Sequence, residues 1–160
     1  LGSGVLMAAE MQGAARGDWV SAALASMTRP QGDAAKILQD AHAMTDVTGF
    51  GLAGHLHGIC MASNVSAELH LDAIPLLPGA LQLSGQGIRS TLYPKNRDAV
   101  LGLRLEGARA DLLFDPQTAG GLLAAIPDGA AHVAELRAAG YEAAVIGRID
   151  GDWPGQISIV

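Results

Sequence analysis

The segment Met44–His55 constrains this chain most, because it holds one carboxylate, two hydroxyls and three glycines within twelve residues. It reads Met-Thr-Asp-Val-Thr-Gly-Phe-Gly-Leu-Ala-Gly-His and lies between an expected strand and an expected helix. Glycine lets the backbone approach a ligand closely, and the N–H groups at a helix start favour an anion. Asp46 adds a hard oxygen ligand of the kind that Mg²⁺ takes together with phosphate. The segment therefore indicates metal and phosphate binding at a strand-to-helix turn.

Two other interpretations of this segment stay open on spacing alone. Its glycines match the pattern G-x-G-x-x-G of dinucleotide-binding folds, and Glu68 lies at the distance of a ribose-binding carboxylate. However, residues 43–48 are more polar than the buried strand that precedes this fingerprint, and Asp46 would repel a pyrophosphate that has no metal. The third interpretation is a glycine-bearing turn that is capped by Thr48 and leaves Asp46 solvated.

Charge and hydropathy exclude several classes of function. The 160 residues carry a net charge of −6, and the ten Lys and Arg residues are scattered, which argues against a nucleic-acid partner. No apolar run reaches the length of a membrane span, and no basic region followed by an apolar core suggests a secretory signal. We therefore expect residues 1–160 to form one domain in the cytoplasm, without a membrane partner.

The hydrophobic pattern predicts an α/β fold of the mixed α+β kind, in which helices pack on a mixed sheet, because strands and helices interleave irregularly. A helical stripe that includes Leu52, Leu56 and Cys60 makes Cys60 a buried apolar residue and not a nucleophile. The predicted strands are Leu1–Ala9, Val65–Asp72 with one solvated face, Asp111–Phe114, Leu122–Ile126, Ala143–Arg148 and Gln156–Val160, with a turn over Gly151–Gly155 before the last of them.

A second polar segment follows the predicted strand at Asp111–Phe114. Asp115, Gln117 and Thr118 surround a proline in a turn, and Gly120 and Gly121 precede the next apolar run. The two glycines fit a tight turn or bulge between strands, and they equally fit a loop that lies beside Met44–His55 and shapes a nucleotide pocket. Both interpretations stay open.

The most basic stretch of the chain is Arg89–Arg97. Arg89, Lys95 and Arg97 are able to reach a phosphate, and a solvated connection into a helix near Pro94 explains them equally well.

Two segments carry a family resemblance, and they occur in the family's order. Thr45–His55 and Leu113–Leu123 resemble the two signatures of selenophosphate synthetase (selenide, water dikinase), and Leu1–Val5 resembles the start of that family's C-terminal half. The resemblance implies a domain like the C-terminal domain of aminoimidazole ribonucleotide synthetase. It also implies that an N-terminal half, which carries the reactive Cys or selenocysteine and most of the metal ligands, lies outside this sequence.

The function implied by the resemblance is the ATP-dependent formation of selenophosphate from selenide, with release of AMP and phosphate, by a full-length homodimer. Asp46 is the implied Mg²⁺ ligand, Asn96 lies in a segment where the family has an asparagine, and no catalytic residue falls within the chain. We expect the chain alone to be inert and to bind Mg-ATP weakly. The alternatives are a sister enzyme of the aminoimidazole ribonucleotide synthetase, thiamine phosphate kinase or hydrogenase maturation type, a dinucleotide-binding domain and a non-catalytic interaction domain. The residues expected near nucleotide or phosphate are Thr45, Thr48, Gly49, Gly51, Asp115, Gln117, Thr118, Gly120 and Gly121.

Overall fold

Helices and strands follow one another along the whole described chain. The computed structural model describes residues 1–100, 102–103, 105–151 and 153–160, so Asp152 of the predicted turn lies outside the described residues. The helices are α1 (Ser3–Met11), α2 (Gly17–Met27), α3 (Gly32–Ile37), α4 (Gly51–Ser63), α5 (Ala80–Gly85), α6 (Tyr93–Ala99), α7 (Ala108–Asp111) and α8 (Gly129–Ala138), with 3₁₀ turns at Leu71–Ala73 and Leu112–Phe114. The strands are β1 (Ala43–Asp46), β2 (Ser66–Leu69), β3 (Leu122–Ala125), β4 (Gly147–Asp150) and β5 (Ile157–Ile159).

The strands form two sheets in the described part of the chain. β1 pairs antiparallel with β3, and β2 lies between β4, which is antiparallel to it, and β5, which is parallel to it. The predicted mixed sheet with packed helices is therefore confirmed, although the strands divide between a mixed sheet and an antiparallel pair. No helix of the described residues combines the length and the apolar character that crossing a membrane requires.

β3 is covered on both faces, which explains why residues 122–126 form an unbroken apolar run. Leu123 packs into the main core, which also contains Leu56 of α4 and Phe114. On the other face, Leu122 and Ala124 pack against a smaller cluster of α3 and α8. β3 therefore fixes the loop that precedes it, Phe114–Gly121, between two layers of the fold.

The predicted strand at Leu1–Ala9 is wrong, because these residues form most of α1. Val5, Leu6 and Ala9 are buried at helical spacing and pack against α2 and α5. Gly2 has φ +120, a conformation that favours glycine, and it precedes the helix. A short apolar run does not distinguish a helix from a strand, and here the choice depends on hydrogen bonds from a distant segment.

Three further strand predictions need correction. Asp111–Phe114 is helical, since Asp111 ends α7 and the next three residues form a 3₁₀ turn with buried side chains. The strand expected at Ala143–Arg148 begins only at Gly147. The solvated face expected for Val65–Asp72 is interrupted, because Ser66 of β2 is buried where the strand passes between its two neighbours.

The helical stripe after the central segment is confirmed in α4. Leu52, Leu56 and Cys60 are buried, and burial raises the pKa of the Cys60 thiol, which disfavours the reactive thiolate. Asn64 ends the helix in the left-handed conformation, with φ 57.

Candidate functional site

The central segment forms a tight turn between β1 and α4. Gly51 donates its N–H to Thr48 O at 3.1 Å and has φ +72. A Cβ on Gly51 would lie 2.7 Å from Leu113 O, so glycine is required both by the backbone conformation and by the contact. Gly49 differs, because a Cβ there would meet no atom within 4 Å. Gly51 therefore serves packing, whereas Gly49 leaves open space.

His55 stabilises this turn from the first part of α4. Its Nε2 atom accepts the Thr48 N–H at 3.0 Å and lies 3.2 Å from the Thr48 hydroxyl, while its ring contacts Phe50 with ring centroids 5.7 Å apart. A nitrogen that accepts a backbone N–H carries no proton of its own. The side chain of Thr48 does not cap α4, so the cap that belongs to the third interpretation does not form.

The second segment lies directly against the first. Gln117 donates its N–H to Thr48 O at 2.9 Å, and Val47 donates its N–H to Gly121 O at 2.9 Å. A Cβ on Gly120 would lie 2.0 Å from Val47 O, so the two backbones touch where a side chain would stand. The two segments therefore lie side by side, as one of the two open interpretations requires. We call Val47–Gly51 and Phe114–Gly121 together the paired loops.

The side chains of Asp115 and Gln117 cap the N-terminus of α1. Gln117 Oε1 accepts N–H groups from Gly2 at 3.0 Å and Ser3 at 3.2 Å, while Asp115 Oδ2 accepts the Gly4 N–H at 3.0 Å. Gln117 Nε2 donates to Asp115 O at 2.7 Å and to Asp115 Oδ2 at 3.0 Å. These bonds satisfy helix N–H groups that have no partner within the helix. Contact of either side chain with a phosphate stays a prediction.

The burial of Asp115 changes its titration. Burial raises the pKa of this carboxyl to about 6, and the N–H groups of Val5 and Gly4 and the Gln117 amide only partly offset that effect. The folded state therefore binds the proton more tightly than the unfolded chain, whose carboxyl has the ordinary pKa of 3.8.

This difference predicts a pH-dependent stability. The contribution of Asp115 to stability should fall as pH rises from about 4 to about 6, and should level off above that window. Because Asp115→Asn stays neutral, its free energy of unfolding relative to the wild type should rise by about 2–3 kcal/mol between about pH 4 and pH 7. Urea denaturation across this range measures the difference, and Asp40→Asn, at an exposed position, is the control. A constant difference for Asp115→Asn would contradict the prediction.

Asp46 stands at the exposed end of β1. Its Cα partner across the sheet is Leu122, so the carboxylate lies beside the point where the second segment enters β3. Asp46 is exposed and its side chain has no hydrogen-bond partner among the described residues, while Thr45 Oγ1 bonds to the Asp46 carbonyl at 3.2 Å. No group of three or more His, Cys, Asp or Glu side chains in the described ranges could hold a metal. At this turn, the carboxylate of Asp46 is therefore available to bind a cation.

Backbone that a ligand can reach flanks Asp46. Gly121 and Thr118 are exposed, and a Cβ on Gly121, as on Gly49, would meet no atom within 4 Å. Thr118 uses its N–H on Ser3 Oγ at 2.8 Å. A cleft of about 680 Å³ begins at residues 117–121 and runs on between β3, α3 and α8. The paired loops therefore leave the backbone at Gly49 and Gly121 uncovered, and they also expose the Phe50 side chain.

The basic stretch is mainly occupied within the fold. Arg89 pairs with Asp111, and Arg97 donates to Tyr93 OH at 3.1 Å and to Leu105 O at 3.2 Å. Lys95 is exposed. Two of the three cations that were considered for phosphate therefore hold the chain between α5 and α7 in place.

Asn96 is a functional candidate that the residue pattern alone did not reveal. It is 5 % exposed, and its Nδ2 donates to Gly49 O at 2.8 Å and to Phe114 O at 3.0 Å. One amide group therefore joins the two halves of the paired loops. Apart from the family resemblance of its segment, its sequence signal is an amide among the charged residues of a short helix.

The dinucleotide interpretation is wrong on topology. A Rossmann unit needs two parallel strands of one sheet on either side of the helix. Here α4 connects β1 and β2, which belong to different sheets in the described structure. The Glu68 carboxylate is not available to a ribose, because it forms an ion pair with Arg148 at 3.1 Å.

This fold and its paired loops define an α/β domain of the AIR synthase type. The chain belongs to the family described as AIR synthase related protein, C-terminal domain, whose model matches residues 1–160. It is 38% identical over 157 residues to the selenide, water dikinase of Shewanella sp. (strain ANA-3), which covers 94% of this chain and 44% of that protein. It is 40% identical over 149 residues to the enzyme of the same name from Photobacterium profundum, which covers 86% and 41%. The chain thus spans less than half the length of these relatives.

Solved structures agree on the fold. The crystal structure of the hydrogenase maturation protein HypE superposes with a TM-score of 0.55 at 19% identity and covers 99% of this chain and 46% of that one. A HypE structure in complex with ATP gives a TM-score of 0.54 at 20% identity, with 99% and 44% covered. At such identity the likeness establishes the shared architecture.

Proposed function

We propose that this chain is the C-terminal half of an ATP-dependent selenide, water dikinase. The complete enzyme converts ATP, selenide and water into selenophosphate, AMP and phosphate, and it is a cytoplasmic homodimer. The observation that carries the proposal is the free carboxylate of Asp46 beside the paired loops. The identity of 36% to 40% with selenide, water dikinases supports it, as does their greater length, which leaves room for an N-terminal half.

Asp46 is proposed as one ligand of Mg²⁺. A carboxylate oxygen suits this hard cation, but a single carboxylate is too few for a firm site, so phosphate oxygens and the N-terminal half must supply the other ligands. Bound Mg²⁺ neutralises charge on the polyphosphate. This need for outside ligands is the reason to expect that the isolated chain is inert and binds Mg-ATP weakly.

The paired loops are proposed to lie along the nucleotide's phosphates. Gly49 and Gly121 leave room for a phosphate to approach their backbone, since a Cβ on either would meet nothing within 4 Å. Gly51 and Gly120 contribute indirectly, because their missing side chains let the two segments touch. The hydroxyls of Thr45, Thr48 and Thr118 are candidate hydrogen-bond partners of a phosphate, and ATP bound to the HypE neighbour agrees with a nucleotide at this type of fold.

The deciding experiment is ³¹P NMR on the complete protein with ATP, Mg²⁺ and selenide. The wild type should form AMP and a new selenophosphate resonance only when selenide is present. Asp46→Asn should lower the rate by about 100-fold or more, as loss of a metal ligand would. The matched control Asp40→Asn, which also removes one exposed carboxylate, should keep the wild-type rate.

Four other results would contradict the proposal in distinct ways. Formation of ADP on another acceptor would identify a sister enzyme of the same superfamily. Untouched ATP in the complete protein would leave a non-catalytic domain. Equal rates for Asp46→Asn and Asp40→Asn would show that Asp46 is not a metal ligand. Tight Mg-dependent ATP binding by the isolated chain would refute the expectation that the N-terminal half supplies the other ligands.

A further inference from the structure

The residue that joins the paired loops comes from outside both of them. Asn96 lies in the middle of α6, whose neighbouring residues Lys95 and Asp98 are exposed, whereas Asn96 itself is 5 % exposed. Side chains that are polar and this deeply buried are, in the large majority of cases, hydrogen-bonded. Both N–H bonds of its amide are used, one on Gly49 O and one on Phe114 O.

These two acceptors belong to different segments of the site. Gly49 follows Asp46 by three residues in the first segment, and Phe114 begins the second. The backbone bonds of Gln117 to Thr48 and of Val47 to Gly121 also join the segments. Among the described residues that lie outside both segments, Asn96 is the one whose side chain donates to both.

Only a side chain with two donors at this position satisfies both carbonyls. An apolar residue of similar size would leave two acceptors unpaired near the core, and an ionised carboxylate would face two carbonyl oxygens without any donor. The two acceptors therefore require a side chain with two donors, and the neutral amide of Asn96 supplies them. If burial were the only requirement at this position, a leucine would satisfy it.

We infer that Asn96 is a positioning residue, which holds the Asp46 turn at a fixed distance from the second segment. It acts through the Gly49 carbonyl and contacts no substrate, and its link to phosphoryl transfer rests on the proposed function. Small displacements of groups that bind phosphate and metal slow a reaction strongly, because the attack geometry is lost. Removal of Asn96 therefore affects the Mg²⁺ dependence of the reaction more than it affects the stability of the fold.

The first test measures the loops themselves and needs no activity. Amide hydrogen exchange is followed by NMR for the N–H groups of Gln117 and Val47 in the complete protein, with Asn96→Ala compared with Ser84→Ala. Ser84 is an apt control, because it is 2 % exposed and donates one hydrogen bond to Ala108 O, away from the paired loops. Exchange of both amides should be about tenfold faster in Asn96→Ala than in Ser84→Ala.

The second test measures the reaction of the complete protein. Asn96→Ala should raise the Mg²⁺ concentration for half-maximal AMP formation by about tenfold and should lower kcat, in line with the loss of an orienting contact. Ser84→Ala should change neither parameter, even if its thermal unfolding temperature equals that of Asn96→Ala. Since a loss of stability alone moves no Mg²⁺ midpoint, this readout separates positioning from a purely structural role.

A second variant keeps the inference testable if Asn96→Ala does not fold. Asn96→Asp has the same shape, and its carboxyl offers one O–H donor when protonated and none when ionised. Burial at position 96 raises the pKa of the introduced carboxyl. The ratio of its rate to the wild-type rate should therefore rise as pH falls from about 8 to about 6, within the range where circular dichroism reports both proteins folded.

The outcomes separate this inference from the proposed function. A folded Asn96 variant with an unchanged Mg²⁺ midpoint, kcat and pH ratio would overturn the positioning role. Unchanged exchange of Gln117 and Val47 would overturn the joining of the loops. If the wild type forms no AMP, the proposed function fails, and the exchange rates alone then decide whether Asn96 joins the two segments.

Discussion

Replacing Gly120 with alanine should lower the free energy of unfolding by roughly 3 kcal/mol or more, at the upper end for an overpacked site. The new Cβ would lie 2.0 Å from Val47 O and 2.8 Å from Gln117 Cβ. A backbone oxygen has no other rotamer to adopt, so the two segments must separate. Separation also breaks the Val47 N–H bond to Gly121 O.

Gly121→Ala is the matched control for this prediction. It adds the same methyl group one residue later, where nothing lies within 4 Å, so its effect should stay within about 1 kcal/mol. Urea denaturation of both variants measures the contrast. Similar losses for the two would mean that the close contact of the segments at Val47 does not exist in solution.

Gln117→Leu should destabilise the protein by at least about 3 kcal/mol, because it removes one amide that satisfies several buried groups. The N–H groups of Gly2 and Ser3 would lose their acceptor, and Asp115 would lose a donor on its carboxyl. Leucine has a similar volume, so the loss arises from unpaired polar groups and not from a cavity. We expect α1 to open first, since its N-terminal hydrogen bonds depend on this side chain.

Thr118→Val is the control for Gln117→Leu. Thr118 is exposed and takes part in the capping only through its backbone N–H, which valine retains. Its unfolding free energy should differ from the wild type by about 0.5 kcal/mol or less. Circular dichroism during urea denaturation compares the two variants, and an equally small effect for Gln117→Leu would exclude the capping role.

These predictions concern residues that the motifs had marked as candidates near a nucleotide, and the structure divides them by role. Gly51 and Gly120 are glycines because backbone meets backbone, whereas Gly49 and Gly121 face open space. Asp115 and Gln117 cap a helix, whereas Asp46 is exposed. Spacing in the sequence does not distinguish these roles, because each depends on what the other segment places opposite the residue.

Local patterns did predict part of the fold correctly. The apolar stripe of α4 follows from residues within one or two turns of each other. The apolar run of residues 122–126 predicted a buried strand, and β3 is that strand. Such elements can be predicted because the spacing of apolar residues is a local property of the chain.

The sequence alone therefore determined the strand-to-helix turn and the α/β class. Only the tertiary structure decided that residues 3–11 are helical, because the groups that cap this helix lie on Asp115 and Gln117, more than a hundred residues away. It also decided the hydrogen bonds of Asn96, whose acceptors are 47 and 18 residues distant in the chain. A buried hydrogen bond forms only when folding brings donor and acceptor together, and local sequence carries no record of that distance.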